Sequence, residues 1–247
     1  MAHSLAARTA AIPAGSGPPP WPGHEYVRGW GVFGLPFDSG HVLALRVFPQ
    51  STFGPYRTIW HRDAGGAWSI YGDAPDLANA CPRYYGPACQ HVGHATIGLE
   101  WTGPHQLHVT MDEPALSWSL AAHAPPMLAV LNAMSARMPL ASWRPAALLR
   151  ARTAMARRMR MGNLELAGTM PSGHHGLLMP QRMYFVDYAH ATLDGHDLGN
   201  PVHLQDNPSI GDVPLPARGV LAIGQAVWPV LADPGATTPI TPTDSAS

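Results

Sequence analysis

The densest set of chemically capable side chains lies in CPRYYGPACQHVGH, where Cys81, Cys89, His91 and His94 fall within fourteen positions. Two thiols and two imidazoles are the donor types of a tetrahedral zinc site. The spacing argues against one. A zinc knuckle takes about two to four residues between its thiols, and the histidines follow Cys89 too closely for a finger. A cysteine pair closing a loop and ordinary loop residues stand as the other readings, and no metal ligand is assigned. Tyr84 and Tyr85 share this loop, placed either to line a ligand mouth or to cover the core.

Two further positions carry acid–base capacity. His61 lies in TIWHRDAGG at a strand end, between Trp60 and Asp63. A carboxylate beside an imidazole orients it and raises its basicity, although the same triplet is a normal hairpin terminus. Asp187 lies in MYFVDYAH among aromatic and aliphatic neighbours. Alternation puts it with Met183 and Phe185, and puts Tyr184, Val186 and Tyr188 on the opposite face. An interior Asp187 would be a desolvated carboxyl, which favours the protonated form and suits a general acid or base. The other reading pairs it with an arginine or turns it outward. The hydroxyl of Tyr184 is the alternative acid. Glu100, beside Trp101, is a weaker candidate.

Composition excludes several chemistries. All fifteen basic side chains are arginine, so no lysine is present for a Schiff base, a pyridoxal-phosphate anchor or a Walker-type phosphate site. No GxGxxG opens a helix after a strand, and neither a GxSxG elbow nor a P-loop occurs. No cofactor motif is found. The formal net charge is -1, so no global field draws in nucleic acid, and no nucleic-acid partner is expected. The start lacks the apolar run of a signal peptide, and nothing later approaches a membrane span, so a cytoplasmic location is expected.

The elements that must position these residues read as strands, then two helices, then strands. YVRGWGVFGL, HVLALRVF and YRTIWHR are rich in β-branched and aromatic residues, with turn compositions between them. Asp63-Ala-Gly-Gly reads as a tight hairpin before AWSIYG. In QLHVTM, Leu107, Val109 and Met111 share a face; in ALSWSL, Leu116, Trp118 and Leu120 do. Joined by Asp112-Glu113-Pro114, these make an antiparallel hairpin. PMLAVLNAMSARM has helical spacing after Pro125-Pro126. SWRPAALLRARTAMARRMRMG reads as a second helix with Ser142 as N-cap and Gly162 as its stop. Its arginines and methionines suit packing on a barrel face, or transient contact of residues 142–161 with a membrane. Strands resume with NLELAGTM, GLLMPQRMYFVDYAHATL and RGVLAIGQAVWPV. The expected fold is mainly β: an antiparallel lipocalin-like barrel or sandwich with an inserted helical hairpin at about 125–161. Residues 24–232 form its single domain, between unstructured segments at 1–23 and 233–247.

TIWHRDAGGAWSIY, LSWSLAAHAPPMLAVLNAM, MGNLELAGTMPSG and DGHDLG resemble lipocalin-like proteins related to the bacterial hydroxyneurosporene (carotenoid) hydratases and to pericyclase-type natural-product cyclases. The likeness is of pattern and segment order over roughly residues 30–225, and no catalytic residue is carried over from it. It implies strands curled around a hollow that holds an apolar isoprenoid, polyketide or lipid-like molecule. Eight tryptophans, seven tyrosines and eleven methionines fit such a lining. Trp60, Tyr71, Tyr84, Tyr85, Trp101 and Trp118 are the expected ligand-binding residues. Asp187, His61 and Tyr184 are the expected catalytic ones. The resulting expectation is a cofactor-independent hydratase or cyclase acting on a hydrophobic small molecule. A non-catalytic carrier or sensor is the alternative.

Overall fold

The computed structural model describes residues 4–231. The expectations for 1–3 and 233–247 lie outside the described residues. The first strands are β1 (Gly15–Ser16), β2 (His24–Pro36), β3 (Val42–Ser51), β4 (Tyr56–Arg62) and β5 (Trp68–Gly72). They are followed by β6 (His91–His94), β7 (Ile97–Gly103), β8 (Gln106–Met111) and β9 (Leu116–His123). After the helical insertion come β10 (Ala167–Thr169), β11 (His175–Leu193), β12 (His196–Asp197), β13 (Ser209–Ile210), β14 (Val213–Pro214) and β15 (Val220–Pro229). The protein is mainly β. One large, mostly antiparallel sheet curls into a half-barrel, in the order β6-β5-β4-β3-β2-β15-β11-β9-β8-β7. The pairings β1–β3 and β5–β6 are parallel and the rest of the sheet is antiparallel.

Strict alternation gives the sheet two different faces. Leu43, Leu45 and Val47 of β3 join Ile59 of β4 on one face, while Val42 and Ala44 join Trp60 on the other. The first face is concave. Tyr71 of β5 and Ile97 of β7, near opposite ends of the strand path, pack into the same cluster. Val32, Leu45, Ile59, Val109, Trp118 and Leu221 fill that concavity and are all buried. The β8–β9 hairpin behaves as its alternation predicts, with Leu107, Val109, Met111, Leu116, Trp118 and Leu120 inside.

The expectation of an unstructured segment up to residue 23 is corrected for its described part. Leu5–Ala10 form a helix, α1, capped by Ser4, whose Oγ accepts from the Ala7 N–H at 3.1 Å. Leu5 is fully buried in the concave cluster. Burial of a leucine is worth about 1.5–3 kcal/mol, enough to hold one helical turn that composition alone does not predict.

The second face is covered by three pieces: α2 (Pro82–Tyr85), the segment around β13 and β14, and a helical hairpin of α3 (Pro126–Ser135) and α4 (Ala146–Arg158). Ser142 is not the N-cap of α4. It lies in a 3-10 turn, Leu140–Trp143, and Pro145 occupies the N-cap position without a side-chain capping bond. Arg152 holds that turn through the Ser142 carbonyl at 2.8 Å and lies 3.8 Å over the Trp143 ring. Gly162 follows the helix with φ +78°, and a Cβ there would sit 2.2 Å from Asn207 Oδ1. That oxygen accepts from the Asn163 N–H, so the glycine lets the chain leave the helix against Asn207. The hairpin is fastened to β11 by Asn132. Its side chain donates to the Met183 carbonyl at 2.7 Å and accepts from the Met183 N–H at 2.8 Å. On this stretch of β11 the ladder to β9 has not begun, so the amide substitutes for a strand partner.

Candidate ligand cavity

The hairpin covers a cavity rather than packing flush on the sheet. About 210 Å³ of space lies between α3, α4 and the second face, and six methionines line it: Met134, Met138, Met155, Met159, Met161 and Met183. Unbranched thioethers fit such irregular space because they adapt to whatever fills it. The cavity continues past Phe33, Arg46 and Tyr85 into a smaller chamber of about 50 Å³. Trp60, Tyr56, Cys81, Tyr84 and Trp228 complete that chamber. The hollow therefore lies on the opposite side of the sheet from the filled concavity. That corrects the expectation of a ligand enclosed by the strands themselves.

The chamber is aromatic, with polar atoms clustered at one place. Trp60 packs on Tyr85 with ring centres 4.6 Å apart and donates its indole N–H to Thr58. Arg46, only 4% exposed, lies 4.1 Å over Phe33 and 4.5 Å over Trp60. Burial pushes the phenols of Tyr56 and Tyr85 and the thiol of Cys81 upward, so all three are neutral at ordinary pH. Tyr84 is held from two sides. Its ring stacks on Trp228 at 4.1 Å, and its hydroxyl donates to Glu25 at 2.6 Å. Burial and that bond to an anion push the Tyr84 phenol up. Burial alone would raise the Glu25 carboxyl. Hydrogen bonds from Arg83 and Tyr84 outweigh it and hold the carboxyl below its usual range.

No family model matches the chain, and neither a curated protein nor a solved structure matches it.

The cavity brings together Trp60, Tyr84 and Tyr85 of the expected ligand residues. It does not gather the rest. Trp118 is fully buried in the concave core, and Trp101 packs there against Trp30 at 5.4 Å. Tyr71 points to the same side and meets His91 at 5.3 Å.

The three expected catalytic residues stand apart from the cavity, and His61 stands apart from the other two. Asp187 is not a buried acid; its side chain is 45% exposed and pairs with Arg218 at 2.5 Å, with His123 and His203 within 3.6 and 3.8 Å. Alternation holds for Met183 and Phe185, which pack under the hairpin, then breaks at a bulge between Phe185 and Tyr188. Within that bulge Asp187 faces outward. His61 is buried, but its partner is His41, with 2.8 Å between Nε2 and His41 Nδ1. Burial and the neighbouring imidazole pull its pKa down to about 4, the reverse of the carboxylate-raised basicity expected from Asp63. Tyr184 packs in the concave core and lines a separate surface groove with Arg8, Arg182 and Asp187.

Cys81 and Cys89 are free thiols, so the loop-closing pair is not formed. Cys89 Sγ contacts the Tyr85 carbonyl at 3.4 Å, and burial pushes its thiol up to about 11. His91 and His94 are exposed on β6. Among the described residues no group of three or more His, Cys, Asp or Glu side chains is placed to hold a metal ion. No helix among them is long and apolar enough to cross a membrane.

Sequence reasoning missed Arg46, Phe33 and Tyr56. The signal for Arg46 was available: it is the one charge in the run VLALRVF, on the period of Val42, Ala44 and Phe48.

Proposed function

We propose that this protein binds a hydrophobic isoprenoid- or polyketide-like molecule beneath the helical hairpin and acts on it as a cofactor-independent lyase or isomerase of the hydratase or cyclase type. The observation that carries this reading is the make-up of the cavity: apolar and adaptable beneath the hairpin, with Arg46, Tyr56 and Tyr85 gathered in the adjoining aromatic chamber. An apolar wall folds a flexible chain into a reactive conformation and excludes water from it. Arg46 and the neutral hydroxyls of Tyr56 and Tyr85 then bear on one end of the substrate, where they polarise a carbonyl or transfer a proton. The resemblance to the carotenoid hydratases and pericyclases supports the same substrate class.

The test is incubation of the purified protein with a library of linear isoprenoids and polyketide esters, followed by mass spectrometry. The expected products have either unchanged mass, from cyclisation, or the added mass of one water. Saturable binding without any product would replace this reading by that of a carrier.

The hairpin supports a second partner. Met127, Val130 and Met134 recur on one side of α3 and point outward, Met127 being 66% exposed. Seven arginines lie between Arg137 and Arg160, and no acid occurs between Glu113 and Glu165. Exposed apolar side chains flanked only by cations suit an anionic bilayer surface. Met134 and Met138 also line the cavity, so this contact would bring a membrane-dissolved ligand to its mouth. The protein should co-sediment with vesicles containing phosphatidylserine and not with pure phosphatidylcholine vesicles, and Val130→Asp should weaken that binding. Equal sedimentation with both would remove the proposal.

A further inference from the structure

Among the described residues Arg46 is the only charged side chain lining both parts of the cavity, and its surroundings account for only part of its presence. The accounted part begins with a bulge. Phe33 is an extra residue in β2 against both neighbours: the β2–β3 register shifts between Val32 and Leu35, and the β15–β2 register shifts at the same place. Such a residue leaves its backbone unpaired. Arg46 Nη1 donates to the carbonyls of Val32 at 2.6 Å and Leu45 at 3.2 Å, and Nη2 donates to that of Phe33 at 3.3 Å. Hydrogen bonds to carbonyls need donors and do not in themselves need a charge.

The charge is what the bulge does not explain. Among the described residues no carboxylate forms an ion pair with Arg46. The neighbouring Cys81, Tyr56 and Tyr85 are kept protonated by burial and supply no counter-charge. A buried ion costs several kcal/mol, roughly, unless a partner offsets it. The flanking rings of Phe33 and Trp60 offset a part of that through their negative faces. Nη1 makes two of these bonds and Nη2 one, while Nε makes none. The Nε–Nη2 edge of the guanidinium plane therefore keeps donor capacity. That edge is the fork that receives the two oxygens of a carboxylate.

We propose that Arg46 anchors the carboxylate of an otherwise apolar ligand at the junction of the two parts of the cavity. This rests on the cavity reading above and narrows it to hydrophobic acids. The apolar body lies along the methionine-lined part beneath the hairpin, and the carboxylate meets the free edge of the guanidinium between Phe33 and Trp60.

The test uses the full chain and Nile red, a neutral apolar dye. Dodecanoate and methyl dodecanoate, each below its self-association concentration, compete for the bound dye. The two share one apolar chain and differ in charge. Dodecanoate should displace the dye at a concentration about tenfold lower than the ester, the effect of one charge-assisted pair. In Arg46→Met the two competitors should displace the bound dye at the same concentration. Equal displacement in the wild-type protein overturns the anchor and leaves the cavity standing. Lack of saturable Nile red binding removes the cavity and the anchor together. Should the Met variant not fold, the wild-type ratio decides alone.

Discussion

Replacing Glu25 by Ala should destabilise the protein by about 3–5 kcal/mol, the usual cost of stripping one partner from a buried ion pair. Glu25 is 4% exposed and accepts from Arg83 Nε at 2.9 Å, from Arg83 Nη2 at 2.6 Å and from the Tyr84 hydroxyl. Removal leaves the Tyr84 hydroxyl buried without an acceptor, while Arg83, one-third exposed, turns partly to water. That partial escape puts the expected value at the lower end of the range, a fall in Tm on the order of 10 °C for a chain of this size. Tyr84→Phe removes one donor and leaves the Arg83 pair, so it should cost only about 1 kcal/mol. Thermal unfolding of both variants checks the ordering. Equal losses, or a loss in Glu25→Ala no larger than that of an exposed pair, would mean that Glu25 does not hold this corner.

The consequence reaches the cavity because Glu25 and Trp228 are cross-strand partners on β2 and β15. One bonds the Tyr84 hydroxyl while the other stacks under its ring. Together they fix α2, which carries both Tyr84 and Tyr85 into the chamber wall. Glu25→Ala should therefore weaken Nile red binding even at temperatures where the variant is folded. Acid acts on the same contact. The Glu25 carboxyl is held low in the folded state, so its contribution is present above the ordinary carboxylate range and is lost as pH falls through the folded value.

How much of this was legible in the chain depends on how each face is covered. QLHVTM and ALSWSL alternate between apolar and polar, and only one of their faces is covered, so their strands and inward residues could be read directly. HVLALRVF is buried on both faces, which hides the alternation that separates Leu43 and Leu45 from Ala44 and Arg46. Alternation also assigns a residue to a face without saying what covers that face. Trp118 and Trp60 look alike in sequence; one fills the concave core and the other a chamber wall. Bulges are the second blind spot. An extra residue at Phe33 creates the bonding site for Arg46, and another before Tyr188 turns Asp187 outward, and neither leaves a mark in composition. The helical hairpin was legible from its prolines and spacing. Its clasp, the lone amide Asn132 in PMLAVLNAM, was visible only as a polar residue among apolar ones.

Lowering the pH from 7 to 5 should remove about 2 kcal/mol of stability through His61 alone. The folded protein holds its pKa near 4, against the ordinary 6.5, because the ring is buried and faces His41; Asp63 and Asp194 pull the other way and lose. The sign follows from proton uptake. Between pH 6.5 and 4 the unfolded chain binds a proton at this position that the folded chain refuses. The stabilisation is thus fully present above 6.5 and declines as pH falls toward 4. The ring planes of His41 and His61 lie within 7° of each other, and their nitrogens share one hydrogen bond, so protonating both rings would set two donors and two charges against each other. His61→Gln keeps a group able to bond His41 but no longer titrates. Carboxylates elsewhere contribute to both proteins equally, which makes the difference between their pH slopes the informative quantity. Urea midpoints at pH 7 and 5 should converge for the variant and spread for the wild type; parallel slopes would show that the pair is already relaxed enough to accept the proton without cost.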